Sequence, residues 1–270
     1  MSESVYSSRT ALVTGATDGI GYETALRLAV GGAEVVVHAV DDTHAQAAVE
    51  RMVADGADRR TLTTAVADFT DLGQVRAMAA EIAAAHPRLD LLVNNAAIAG
   101  PERRTLTEDG NEVTWQVNYL AHFLLTRVLE ASLAAASDSR VVNVSSSLHR
   151  TGNIDWTDLT RARRYSRVAV YAQSQLALAV FAKALAERGQ GAVSLHPGTI
   201  DTALLPLYGR VGRPVGEGAA AVLNLCHPEH EVVNGGYYDH LTAAEPGPGV
   251  LDKRSPRRLW NVSSTLTDLG

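Results

Sequence analysis

Cysteine, lysine and aromatic side chains are all scarce in this chain. A single cysteine, Cys226, excludes an internal disulfide framework and suits a reducing compartment. Lysine occurs only at Lys183 and Lys253, against 22 arginines. The few basic clusters, Arg103-Arg104 and the runs at 161–164 and 253–258, read as solvated surface. A net charge of −6 argues against a nucleic-acid partner, because phosphates need a basic face to neutralise them. No apolar run approaches the ~20 residues of a membrane span. The opening "MSESVYSSRTALVTG" lacks the basic start and apolar stretch of a secretory signal. The expectation from these absences is a cytosolic protein with no membrane span.

What remains is a composition, 46% hydrophobic and 20% charged, that suits an ordinary globular domain spanning residues 1–270. Short β-branched runs alternate with longer Ala/Leu-rich amphipathic stretches. Strands are expected at 10–14, 34–39, 61–67, 89–94, 140–145, 192–196 and near 235–239. Helices are expected at 20–30, 43–54, 72–85, 108–135, 168–188 and 216–226. Such alternation predicts an α/β fold, a Rossmann-like doubly wound parallel sheet flanked by helices on both faces. The Pro/Gly/Arg-rich stretch 243–258 reads as a surface loop. Residues 200–216 have apolar positions broken by Gly and Pro, and are expected to form a lid over a substrate pocket.

The stretch "ALVTGATDGIGYETALRL" sets Gly15, Gly19 and Gly21 between a predicted strand and a predicted helix. Glycines there let a pyrophosphate approach the backbone, and the helix start offers free N–H groups at its positive end. Further along come Asp68 in "ADF", "NNAA" at 94–97, Asn118 in "VNYLAHFLLT", "NVSSS" at 143–147, Tyr171 in "YAQSQ" and "HPGTIDT" at 196–202. In this order the motifs resemble those of the short-chain dehydrogenase/reductase family over nearly the whole chain. "SSSLHRTGNIDWTDL" and "RRLWNVSSTL" are most similar to its retinol-dehydrogenase-like branch.

The resemblance implies an NAD(P)-dependent oxidoreductase acting on a carbonyl or alcohol of an apolar small molecule. It implies a cofactor site drawn from Gly15, Asp18, Gly19, Ile20 and Gly21; from Ala39, Val40 and Asp41 at the end of the second strand; from Asp68 and Phe69; from Asn94 and Ala96; and from Pro197, Gly198, Ile200 and Thr202. Asp68 would contact the adenine amino group, and Asn94 would sit on the adenosine side. Ala97 replaces the glycine usual in "NNAG". No basic residue stands at the positions that select a 2′-phosphate, and Asp18, Asp41 and Asp42 would repel one, so NAD(H) is favoured over NADP(H). Asp41-Asp42 also suits a helix N-cap.

By the same resemblance Tyr171 would be the acid/base, Ser146 the group that polarises the substrate oxygen (with Ser147 next in line), and Asn118 the holder of a water relay. The family places a lysine four residues after the tyrosine, one helical turn on, where it binds the nicotinamide ribose and favours the phenolate. Here that residue is Gln175, which can hydrogen-bond but has no charge. Lys183, roughly 12 Å further along the helix axis, does not replace it. A free tyrosine ionises near pH 10, so an uncharged neighbour predicts a reductase bias, since a neutral phenol still donates a proton. Two alternatives stay open: a non-redox cyclase, dehydratase or isomerase on the same scaffold, or a cofactor-sensing binding protein.

"CHPEH" at 226–230 is interrupted by Pro228 and has no companion cluster, so no metal is expected. His149 and His196 read as structural or solvent-exposed. The helices at 108–135 and 168–188 are where a homodimer or homotetramer would be built by family resemblance.

Overall fold

The computed structural model describes residues 5–207, 209 and 211–269. One sheet organises the chain in the strand order β3-β2-β1-β4-β5-β6-β7-β8. The first half alternates β1 (Thr10–Val13), α1 (Gly19–Val30), β2 (Glu34–Ala39), α2 (Asp42–Ala54), β3 (Leu62–Val66), α3 (Leu72–Ala85) and β4 (Leu91–Asn94). After β4 come the short helices α4 (Val113–Trp115), α5 (Ala121–Val128) and α6 (Glu130–Ala134), then β5 (Arg140–Val144), α7 (Arg167–Ala186) and β6 (Ala192–His196). The chain closes with α8 (Val215–Cys226), β7 (Tyr237–Asp239), β8 (Thr242–Ala244), α9 (Pro248–Leu251) and α10 (Ser255–Leu266).

Every pairing from β3 through β7 is parallel, and only β8 runs antiparallel to its neighbour. Apart from the first residues of β1 and β5, the central strands are buried, because apolar side chains leave them on both faces toward flanking helices. Two apolar cores result, one on each side of the sheet: α3, α5, α7 and α10 close one, α1, α2 and α8 the other. The doubly wound α/β expectation holds. Order reverses between β1 and β4, and there the carboxyl ends of the strands open a crevice.

Three expectations need correction. The predicted helix at 108–135 begins only at Val113, passes through a π-helical segment at Gln116–Leu120, and breaks again at Leu129. The predicted loop at 243–258 contains β8's last residues, α9 and the start of α10. In α10, Trp260 is held between the guanidinium groups of Arg127 and Arg188, at 4.5 and 3.8 Å from its ring centre, and stands edge-on to Phe123. Tyr119 and Ser263 add a 2.7 Å hydroxyl pair. This packing lays α10 against α5 and α7.

The third correction concerns α7, which is long and apolar enough to cross a membrane by length and composition. Of its apolar window, 83% is buried inside the protein, which is the setting of a core helix. The expected absence of any span-length run was therefore mistaken, and a cytosolic location no longer follows from it.

Candidate active site

β1 ends at a tight loop into α1. Gly15 and Gly19 take φ of +62° and +56°, the left-handed region where a side chain is strained. Close approach matters as well: a Cβ on Gly21 would lie 2.2 Å from the Gly15 carbonyl oxygen, so the helix can seat against its own loop only with glycine there. Asp18 precedes α1 without capping it, which leaves the first-turn N–H groups directed at the crevice with no side-chain acceptor.

Polar groups buried behind the loop fix its shape. Thr14 Oγ1 accepts from the Asn95 and Ala96 N–H groups at 2.8 and 3.0 Å, and it meets His122 Nε2 at 3.0 Å. Asn95 Nδ2 donates to the Thr14 and Gly15 carbonyls. His38 Nδ1 accepts the Gly15 N–H at 3.0 Å, while its Nε2–H donates to the Ala67 carbonyl at 3.1 Å. Its ring stacks on Phe69 with centres 4.4 Å apart. Burial lowers the pKa of His38 and of His122 to about 4, so both are neutral at pH 7, as the Gly15 N–H bond to His38 requires.

The crevice encloses about 370 Å³ and is lined along one flank by Gly15, Asp18, Gly19, Ile20, Ala39, Val40, Asp68, Phe69 and Ala96, and along the other by Tyr171, Gln175, Pro197, Gly198, Ile200 and Thr202. The structure thus brings most of the expected cofactor residues to one cavity. Its charged lining groups are Asp18 and Asp68; no lysine or arginine lines it among the described residues.

Three residues take places other than those expected. Asn94 is fully buried and bonds Asn143 Oδ1 at 2.9 Å and Thr126 at 3.2 Å; as the last residue of β4 it points into the core, and Asn95 lines the crevice instead. Asp41 caps α2, accepting from the His44 N–H at 2.8 Å, and does not line the cavity. Gly21 packs behind the loop. Asn118 lies in the π-helical segment with its side chain clamped on Ile98, accepting from its N–H at 2.8 Å and donating to its carbonyl at 3.0 Å. Its Nδ2 also reaches Ser174 at 3.2 Å. Its side chain positions the crevice wall.

On the catalytic flank, Tyr171 and Gln175 are 2% and 1% exposed, one turn apart on α7. Gln175 Nε2 is buried without any protein hydrogen-bond partner. The main-chain carbonyl of Gln175 accepts from Ser145 Oγ at 2.8 Å, which ties α7 to the end of β5. Ser145 lines the crevice. Ser146, next in sequence and buried, caps the turn at Ser147–Arg150, its Oγ accepting from the Leu148 N–H at 3.0 Å. That turn presses on α7 just after Tyr171: a Cβ on Gly152 would stand 2.4 Å from the Ala172 carbonyl oxygen.

Sequence reasoning missed Thr14, His38, Asn95 and His122. Their only signal is a polar residue within or at the end of an otherwise apolar run.

Several known proteins share this arrangement. The short chain dehydrogenase family matches residues 9–208. Human (Homo sapiens) retinol dehydrogenase 13 is 34% identical over 290 aligned residues, covering 99% of this chain and 87% of its own. Polyprenol dehydrogenase of Mus musculus is 40% identical over 286, covering 97% and 84%. A crystal structure of a Mycobacterium Paratuberculosis protein superposes with a TM-score of 0.80 at 28% identity, covering 99% of this chain and 96% of the other. A metagenomic short-chain oxidoreductase solved in complex with NADP gives 0.65 at 25% identity, covering 88% and 98%. With that match over most of its length, and with the glycine loop, the buried serine and the tyrosine helix around one crevice, this chain belongs to the short-chain dehydrogenase/reductase family of oxidoreductases.

Proposed function

We propose that the protein reduces an aldehyde or ketone of an elongated apolar molecule, with NAD(H) favoured over NADP(H). The observation that carries this reading is the pair Tyr171 and Gln175, side by side on one wall of the crevice, with Gln175 Nε2 buried and unpartnered. A buried amide N–H₂ without an acceptor is costly, and a ribose hydroxyl of the cofactor would supply that acceptor. The residues present therefore fit a nicotinamide dinucleotide: glycine loop and uncapped α1 at the pyrophosphate, Ala39, Val40 and Asp68 at the adenosine, Gln175 at the other ribose. Bound there, the nicotinamide supplies the hydride.

The chain's own groups then handle the oxygen. Tyr171 donates a proton to the oxygen as negative charge builds on it, and the Ser146 hydroxyl, while its oxygen accepts from the Leu148 N–H, donates its own proton to the same atom. Asn118 acts through Ile98, holding the wall against α7. Because Gln175 adds no positive charge, nothing at that position favours the phenolate, and reduction is the direction served. The acidic lining at Asp18 and Asp68, with no lysine or arginine among the described lining residues, supports NAD(H).

Two relatives are named for retinol and for polyprenol, both long apolar alcohols, and an apolar wall at Ile98, Val117, Ala203 and Leu204 agrees with that substrate class. Residues 200–216 would be the lid; Tyr208 and Arg210 of this stretch lie outside the described residues. A parallel bridge joins Ile200 to Arg213, so the segment leaves the crevice rim and returns to it.

The test is a fluorescence titration with NADH and NADPH, followed by consumption of NADH in the presence of retinal. Tighter NADH binding and turnover support the reading. Failure to bind either dinucleotide overturns it.

A further inference from the structure

Outside the proton-transfer machinery, the ends of β6 and β7 bring His196 beside Asp239 and His240, from which the sequence separates it. The two strands pair in parallel with His196 directly opposite Asp239, so both side chains leave the same face of the sheet. His240 follows at φ +53°, in the two-residue connection to β8, where Asp239 pairs with Thr242. Its backbone N–H donates to the His196 carbonyl at 2.9 Å. The left-handed turn swings the His240 ring over Gly198, where a Cβ would lie only 2.4 Å from its Cε1. The two imidazole rings stand 5.8 Å apart at 67°.

We propose that His196, Asp239 and His240 form a binding site for one divalent ion of the zinc class. One ligand atom from each residue lies within 4.8 Å of the other two. An independent observation points the same way: His196 is 6% exposed, and its Nδ1 is buried with no hydrogen-bond partner. A buried ring nitrogen left unpaired lacks the interaction that metal ligation supplies. Two imidazoles and a carboxylate are the donor set of zinc and its neighbours, whereas calcium and magnesium select all-oxygen sites.

Bond lengths of about 2.0–2.1 Å in a tetrahedron put ligand atoms roughly 3.4 Å apart, so the three must draw in. Asp239 and His240 have the freedom to do so, with 43% and 39% of their side chains exposed. An ion there would tie the β7–β8 turn to Pro197 and Gly198, which line the crevice, and would stiffen that wall. Water would complete the shell. The site replaces the expectation of no metal. It is separate from "CHPEH", where Cys226 is buried with its thiol pushed up to about 12 by desolvation, and where the His227 ring accepts from the Glu229 N–H.

The experiment titrates Zn²⁺ into chelator-stripped, full-length protein in competition with a chromophoric chelator, without dinucleotide or substrate. One ion per chain at micromolar affinity or tighter is expected. His240→Ala should weaken it about tenfold or more, as loss of a ligand does, while a His227→Ala/His230→Ala double variant should bind as the parent does. Co²⁺ substitution should give a visible absorption band that Asp239→Asn alters. Each variant's NADH affinity and circular dichroism check that it is folded. Binding no tighter than millimolar, or an affinity that His240→Ala leaves unchanged in folded protein, overturns the site.

Discussion

Gln175 follows Tyr171 by one turn of α7, and both side chains face the same crevice, yet the Gln175 amide nitrogen meets no acceptor in the protein. An uncharged residue thus stands where the family places a cation, on the wall of the crevice.

Installing that cation should restore the reverse reaction. Gln175→Lys is expected to raise alcohol oxidation at neutral pH by about tenfold or more and to shift its pH–rate profile to lower pH. The parent's oxidation rate should still climb above about pH 8, because no cation at position 175 favours the phenolate. Initial rates across pH for both proteins decide the matter; a parent plateau already reached at pH 7 contradicts this account.

Tyr171→Phe removes the proton donor and little else. Turnover should fall by about 10²–10⁴-fold, with NADH affinity held within roughly threefold of the parent. Parallel steady-state and binding measurements separate chemistry from recognition. Unchanged turnover would move the proton-donor role away from this residue.

Val40 lines the crevice at the end of β2 with 48% of its surface exposed. Val40→Arg should therefore improve NADPH binding relative to NADH by about tenfold, since a guanidinium there can pair with a 2′-phosphate. Competition titrations read the ratio. If the parent already prefers NADPH, the charge-based reading of this rim is wrong.

Acid should weaken the fold before it protonates the native histidines. Burial holds His38 and His122 at about 4, against an ordinary value of 6.5; the proximity of His38 also lowers His122, while hydrogen bonds to Ala67 and Asn118 act in the opposite sense. Below about pH 6.5 the unfolded chain takes up protons that the native state refuses, so stability is lost as pH falls toward 4 and levels off beneath it. The loss is roughly 3 kcal/mol per histidine across that window. Urea midpoints measured across the window should fall accordingly, and His38→Asn should remove part of the slope. A midpoint constant from pH 7 to pH 5 would show that these rings are not buried neutral.

Local patterns carried most of the fold and much of the site. The glycine loop is legible because strand, turn and helix are contiguous and each glycine answers a local demand of φ or clearance. Tyr171 and Gln175 are legible together because a spacing of four on any helix selects one face. The side of the chain reached by Asn94 and Asn95 was not legible. At the end of a strand a shift of one residue exchanges core for crevice, and two identical residues give no clue to the register.

What the sequence determined by itself was the alternation of buried strands and amphipathic helices, and with it a crevice at the reversal of strand order. Tertiary structure alone decided where the polar groups behind that crevice find partners. His38 reaches Gly15, Thr14 reaches His122, and His240 comes to rest beside His196 across a parallel strand pair. These pairs join residues tens of positions apart, and only the packing of the sheet sets their distances. The same holds for α10, whose Trp260 finds Arg127 and Arg188 only once α5 and α7 are side by side. Periodicity tells which face of an element is buried; it does not say which neighbour buries it.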